Sequence, residues 1–330
     1  MNATLSDIAD RTGCSPSTVS RVFNNSPLVN AQTRERVLTA IRATGYTPSH
    51  AARALKAQKT SLLGVMLPKV AGGFFADVLA GIDGEAAARG YHLMTVLTHG
   101  LEDEAATVRR LVRERRVDAL VAFNMYLPDD VVGEAARRGM RIALIGRPHA
   151  RVAAATVDNR SAAAAAMAHL LGHGYRDVAI LAGPRGNRDS DERLAGCRIA
   201  AGKAKAPIAG GRIWHAQFTE ESAVETVQAH LESGALLPRA IFALNDDMAI
   251  GARSVLLRRG LRIPEDVALM GFDGTWAARI ADLSTVEVPM AELGKAAARA
   301  ALDVGTERRI KPLPCRLVLR NSCGCEEDRI

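Results

Sequence analysis

Ser17, Arg21 and Asn24 fall at i, i+4 and i+7 of the stretch "SPSTVSRVFNN", one side of a helix that starts at Pro16. Side chains of this kind, short and polar with one long cation, suit the edges of nucleobases and the phosphates beside them. Arg21 could donate to guanine O6 and N7, a bidentate contact worth about 1–3 kcal/mol of discrimination. Ser17 could meet bases or phosphates, whereas Thr18, Ser20 and Asn24 suit phosphate oxygens. Val19, Val22 and Phe23, at i, i+3 and i+4, predict the buried stripe of the same helix.

Neighbouring helices must hold that face outward. Thr4 followed by Asp7 has the spacing of an N-cap with an acid at N3, and Leu5, Ile8, Ala9 and Thr12 mark one helical face ended by Gly13. Ser15 can cap the second helix, with Pro16 at its first position. A third helix is expected over 31–44, capped by Asn30, with Val37 and Ile41 inward and Gly45 as its stop. Three short helices with a tight glycine turn between the first two make a helix-turn-helix; the plainer alternative is an ordinary three-helix mini-domain. Charge favours the first. Residues 1–59 hold eight Lys/Arg against three acids, a net +5, while the remaining 35 basic and 33 acidic residues leave +2. Such an end suits a polyanionic partner, although a basic terminus can also be merely solvated.

The following segment, "SHAARALKAQKTS", can form a short helix capped by Ser49. At roughly two turns it is marginal alone in water. It reads either as a flexible tether or as a linker that orders on DNA or on a second copy of itself. Leu55, flanked by Arg53 and Lys56, has the composition of a minor-groove wedge.

From residue 61 the chain alternates short apolar runs with amphipathic stretches. "LLGVMLP", "YHLMTVL", "DALVAF" and "RIALIG" read as buried strands, with helices expected near 74–89 and 102–116. After "AAATVDN" the alternation resumes with "DVAILAG", "RIWHA", "AIFALN" and "VALMGFD". Two such runs predict two lobes of parallel sheet covered by helices, with a ligand cleft at the carboxyl ends of the strands. Arg147, Asp158, Asn159, Asn245, Asp246 and Asp273 fall just after strands, and Phe74, Phe218 and Trp276 could supply aromatic faces. That mixture suits a hydroxyl-rich ligand, although each residue alone could equally be a cap or a packing element.

Other functions find less support. At 48% hydrophobic residues and mean hydropathy +0.01, the composition is that of a soluble globular protein. No membrane span or signal peptide is expected, and five scattered cysteines suit a reduced cytoplasm. No G-x-G-x-x-G, P-loop or G-x-S-x-G pattern occurs, so neither an enzyme nor a cofactor is expected. "CGC" at 323–325 could bind a soft metal but reads as incidental, and no metal site is expected.

"TLSDIADRTGCSPSTVSRVFNN" and "TRERVLTAIRATGYTPSHAARAL" resemble the DNA-binding head of the lactose-repressor (LacI/GalR) family. "GGFFADVLAGID", "VDN", "ERLAGCR", "NDDMAIGA", "RIPEDVALMGFD" and "LSTVEVP" resemble its effector-binding core, which is similar to periplasmic sugar-binding proteins. The resemblance implies an all-α helix-turn-helix head (1–48), a hinge (49–60) and a two-lobed α/β periplasmic-binding-protein-like (type I) effector domain (61–330). The N-lobe would take about 61–158 plus 288–320 and the C-lobe about 159–287. Pro16, Ser17 and Arg21 would face bases, with Thr4, Ser15, Thr18, Ser20, Asn24, Ser49 and Arg53 among the DNA contacts. Leu55 and its dimer mate would wedge into the minor groove beside Lys56. Phe74, Arg193, Phe218, Asn245 and Asp273 would line the effector site, joined by Arg147, Asp158, Asn159, Asp246 and Trp276.

The sequence departs from the family pattern at Ser49, commonly asparagine, at Gly72-Gly73, at Gly274 and at Asp282. Arg147 and Arg193 together would tolerate an anionic effector such as a sugar acid or sugar phosphate. The expected protein is a cytoplasmic homodimeric regulator of double-stranded operator DNA, most simply a repressor, controlled by a small-molecule effector. The alternatives are a sugar-binding module whose basic head serves another partner, and an activator or co-repressor-dependent regulator. Replacing Leu55 by alanine is expected to weaken operator binding more than binding to random DNA, read by fluorescence anisotropy on both; equal losses would remove the wedge.

Overall fold

Thr4 and Asp7 close a reciprocal cap. The Thr4 backbone N–H donates to Asp7 Oδ2 at 2.7 Å and the Asp7 N–H to Thr4 Oγ1 at 3.3 Å. The Thr4 N–H, and the Thr4 hydroxyl donating to the same Oδ2 at 2.9 Å, hold the Asp7 carboxyl below its ordinary value. Helix α1 (Leu5–Thr12) follows and ends at left-handed Gly13, φ 60°. Ser15 caps α2 (Pro16–Phe23) by accepting from the Thr18 N–H, and Asn30 caps α3 (Ala31–Thr44) through the Thr33 N–H. Ile8, Ala9, Val19, Val22 and Val37 form the core they share. Phe23 departs from the expected buried stripe: as the last residue of α2 it is 38% exposed.

This computed structural model describes residues 3–46, 59–70, 72–99, 101–123, 127–303 and 310–325, in two compact units, Met1–Ser61 and Leu62–Ile330. Ser49, Arg53, Leu55 and Lys56, the expected hinge contacts, lie outside the described residues. No described helix is long and apolar enough to cross a membrane.

The second unit holds two parallel sheets. Five strands, β1 (Leu62–Leu67), β2 (His92–Leu97), β3 (Ala119–Phe123), β4 (Arg141–Ile145) and β5 (Ala153–Ala155), lie in the order 2-1-3-4-5. Their side chains alternate between two cores. Leu63, Val65 and Leu67 of β1 and Val121 of β3 join the core under α4 (Gly73–Ala87) and α12 (Met290–Leu302). Met66, Leu120 and Ala122 face Val108 and Leu111 of α5 (Leu101–Glu114) and Val131 and Val132 of α6 (Asp129–Arg137). Burial on both faces explains why these strands read as continuous apolar runs. "YHLMTVL" is the exception to the expected burial. As β2 it is the edge strand, and Leu97 is 42% exposed.

The second sheet, in the order 7-6-8-9, comprises β6 (Val178–Ala182), β7 (Ile213–His215), β8 (Ala240–Ala243) and β9 (Ala268–Met270). Its helices are α7 (Asn159–Gly172), α8 (Arg188–Lys203), α9 (Glu220–Glu232), α10 (Asp246–Arg258) and the short α11 (Trp276–Ile280). β10 (Thr285–Glu287) and β11 (Arg316–Val318) pair antiparallel, and bridges Val157–Leu313 and Asp273–Glu287 stitch the connecting segments. Helices α4 and α12 meet backbone to backbone. A Cβ on Gly81 would sit 2.0 Å from the Ala291 carbonyl oxygen, and one on Gly294 would sit 2.1 Å from that of Val78.

Asp246 is expected among the ligand contacts, but the structure buries it completely as an internal anchor. Its Oδ2 accepts from the Thr275 N–H (2.7 Å) and hydroxyl (3.1 Å), and its Oδ1 from the Thr285 hydroxyl (2.6 Å). It thereby ties α11 and β10 to α10. Burial pushes its carboxyl up to about 6, against the pull of those donors. The folded state therefore binds this proton more tightly than the unfolded chain, whose ordinary value is 3.8. This contribution to stability is full below 3.8 and is lost as pH rises through about 6. Asp246→Asn should gain stability relative to the wild type across that interval in thermal melts; a difference independent of pH would contradict the assignment.

Candidate functional site

Two surfaces carry the chemistry. On α2, Ser17, Arg21 and Asn24 are exposed on the side opposite buried Val19 and Val22. Several of the hydroxyls there also hold the helix together. Ser15 Oγ lies 2.8 Å from Ser17 Oγ and 2.9 Å from Thr18 Oγ1, and the Asn24 amide donates to the Ser20 carbonyl at 2.9 Å. Thr4 and Ser15 are exposed caps, Pro16 is exposed at the first turn, and Thr18 and Ser20 are half-buried.

In the second unit a cleft of about 330 Å³ opens at the carboxyl ends of the strands of both sheets. That volume lies at the small end of ligand pockets. Its apolar wall is an aromatic cluster. Phe74 and Phe75 open α4 with their rings edge-on, centroids 5.4 Å apart, and Phe123, at the end of β3, lies 5.2 Å from Phe75. Phe218, after β7, is held at φ 57° with its ring against Gly183; a Cβ on Gly183 would come within 2.3 Å of that ring.

The floor is a polar knot around Arg193, 5% exposed on α8. Its Nε donates to Asn159 Oδ1 at 2.8 Å and its Nη1 to the Leu244 carbonyl at 2.6 Å, while the guanidinium stacks 3.8 Å above the Phe272 ring. The same Nη1 lies 3.2 Å from Asp273 Oδ1, an ion pair without hydrogen-bond alignment. Asp273 Oδ1 is buried and accepts no hydrogen bond from the described residues. Burial pushes the Asp273 carboxyl well above the usual carboxylate range, against the pull of Arg193. Its backbone, at φ 121°, turns the chain through Gly274 at φ 80°.

Of the ten residues expected around the ligand, Phe74, Arg147, Arg193, Phe218, Asn245 and Asp273 line the cleft. The other four are placed elsewhere. Asp158 is exposed and caps α7 through the Ser161 N–H. Asn159 is buried behind Arg193, donating to Asp189 Oδ1 at 2.9 Å and accepting from the guanidinium. Asp246 is the anchor described above, and Trp276, 60% exposed, lies past the turn at Asp273-Gly274. Arg147 lines the cleft but is already engaged: it donates to the Leu127 carbonyl at 3.0 Å and to the Asp129 carboxylate. Asn245 caps α10 and also donates to the Phe218 carbonyl at 3.3 Å.

Sequence reasoning passes over Lys69, Phe75, Phe123, Arg188, Asp189 and Asp247, all on the cleft wall. Lys69 stands two residues past the end of β1 just as Arg147 stands two past β4, so the same rule would have found it, whereas Phe123 is itself the last residue of β3. Lys69 and Asp247 approach to 3.6 Å, one from each lobe, at the rim.

Residues 4–49 match the bacterial regulatory proteins of the lacI family, and residues 167–323 match the periplasmic binding protein-like domain. The HTH-type transcriptional repressor PurR of Vibrio parahaemolyticus is 30% identical over 329 residues, spanning 97% of this chain and 98% of that one. The lac repressor dimer bound to operator and the anti-inducer ONPF superposes with a TM-score of 0.85 at 25% identity, covering 98% and 99% of the two chains. The regulator CelR in complex with cellobiose is 26% identical with a TM-score of 0.72, covering 97% and 99%. With a capped helix-turn-helix at one end and a two-lobed cleft at the other, both matched along nearly the whole length, this chain belongs to the lacI family of bacterial transcriptional regulators.

Proposed function

We propose that this chain is a repressor that binds a pseudo-palindromic operator as a homodimer and is controlled by a small polyhydroxylated ligand, a sugar or sugar acid, held in the cleft. The observation that carries the ligand reading is Asp273 Oδ1, a buried acceptor on the cleft wall with no hydrogen-bond donor among the described residues. A buried acceptor left without a donor costs about 1–3 kcal/mol, and a ligand hydroxyl would relieve that cost. The Phe74, Phe75 and Phe123 rings offer the apolar surface that a sugar ring covers. Arg147 and Arg188 at the cleft are paired with Asp129 and Glu192, and Lys69 and Arg193 with Asp247 and Asp273, so the lining suits a neutral sugar and an acidic one alike.

A second reading has specific support. An N–H donor would satisfy Asp273 as well as a hydroxyl, the aromatic wall suits a planar heterocycle, and the relative named PurR points to a purine.

For DNA, one head reads too few base pairs for genomic selectivity, whereas two on a palindrome add their contacts. Ligand-dependent change in the angle between the lobes would bias the hinge segments at 49–60, with a coupling of about 1–3 kcal/mol. Selection of genomic fragments by the purified protein, repeated with neutral sugars, aldonates, sugar phosphates and free purine bases, tests both halves. The expected result is a recovered pseudo-palindrome whose yield changes with an acidic or neutral sugar. A change only with purines would replace the sugar reading, and uniform recovery under every condition would refute the operator reading.

A further inference from the structure

Two histidines and two cysteines converge on the C-lobe away from the cleft. His169 lies in the last turn of α7 and His173 is its C-terminal cap, four residues on and so on the same helical face. The chain end supplies the other pair. Asn321–Cys323 forms a single 3-10 turn, and Gly324, at φ 87°, reverses direction so that Cys325 returns beside Cys323. Only a residue without a side chain fits there, because a Cβ on Gly324 would lie 2.7 Å from the Tyr175 hydroxyl.

The four ligand atoms, both Nε2 and both Sγ, lie within 4.8 Å of one another. The two Nε2 are 3.1 Å apart, His173 Nε2 is 3.3 Å from Cys325 Sγ, and His169 Nε2 is 3.4 Å from each sulfur. A tetrahedral zinc with bonds of about 2.05 Å to nitrogen and 2.3 Å to sulfur sets N···N near 3.3 Å and N···S near 3.6 Å. Four of the six edges of that tetrahedron are therefore already present to within a few tenths of an ångström, and the other two lie within 4.8 Å. Backing is present too. Ser284 Oγ lies 3.1 Å from Cys323 Sγ and 2.8 Å from the Arg320 carbonyl, so its proton can serve either. Ser322 donates to the Leu269 carbonyl at 2.7 Å and accepts from the Ser284 N–H at 2.8 Å, fixing the turn that presents Cys323.

We propose that His169, His173, Cys323 and Cys325 form a closed four-coordinate site for a soft divalent cation of the zinc class, which clamps the chain end onto the end of α7. Four protein ligands leave no position open for substrate, so the site is structural. Along the chain the two thiols look incidental, because the histidine that meets Cys325 stands 152 residues earlier. The H-x-x-x-H spacing of His169 and His173 is the signal that sequence reasoning passes over.

Cobalt(II), added to the reduced full-length protein under anaerobic conditions, is the probe. The expected result is one equivalent bound, with the intense visible bands of tetrahedral cobalt and a sulfur-to-cobalt charge-transfer band, both displaced by zinc. Cys325→Ser and His173→Ala should lose the tetrahedral spectrum while keeping the wild-type circular dichroism. Cys14→Ser, outside the cluster, should keep it, and zinc should raise the Tm of the wild type but of neither cluster variant. An octahedral spectrum, an unchanged spectrum in both cluster variants, or a Cys323–Cys325 disulfide persisting in the reduced protein would overturn the proposal.

Discussion

The buried guanidinium of Arg193 is the constraint around which the C-lobe side of the cleft is arranged. Taking that charge out of water is costly unless each donor finds an acceptor. Here Asn159 at the start of α7 and the Leu244 carbonyl after β8 accept from it, Asp273 after β9 lies beside it as the counter-charge, and Phe272 covers one face. Three separate segments are thus pinned to one side chain of α8. Removing one partner of such a buried pair costs about 3–5 kcal/mol, so the knot orders the strand ends that carry Asn245 and Asp273 into the cleft. The knot remains incomplete on one side, since Asp273 Oδ1 meets Arg193 only as a charge and receives no aligned donor. A structural requirement of the lobe therefore also supplies the group we propose for ligand recognition.

The rest of the second unit holds that floor opposite the aromatic wall. Close approach of α4 and α12 at Gly81 and Gly294 places Phe74 and Phe75, at the start of α4, at the end of the N-lobe sheet. Asp246 performs the matching task in the C-lobe by holding α11 and β10 to α10. Lys69 and Asp247 then meet across the rim, where a change of lobe angle would make or break their pair.

Much of this was legible from local rules. The caps at Thr4, Ser15 and Asn30, the left-handed stops at Gly13 and Gly45 and the two parallel sheets implied by alternation follow from side-chain chemistry within a few residues. What escaped depends on rotation and distance. Asp246 and Asp247 are neighbours, but a helix turns about 100° per residue, so one enters the core while the other lines the cleft. Trp276 follows a strand end as Asp273 does, yet after the positive-φ turn at Asp273-Gly274 its ring lies beside Gly73 at the start of α4, exposed and outside the cleft lining. Phe23 completes an apolar stripe on paper, but as the last residue of α2 it stays partly in solvent. The histidine and cysteine cluster joins parts of the chain that only the tertiary fold brings together.

The most direct test is the shift in operator affinity that a saturating cleft ligand produces in the wild type and in Asp273→Asn, with circular dichroism confirming that both are folded. If the incomplete knot recognises the ligand, the wild type should shift by roughly 5- to 150-fold, the usual range of allosteric coupling, while the variant shifts little at the same concentration. An equal shift in both proteins would contradict the account and move recognition away from the Arg193–Asp273 floor.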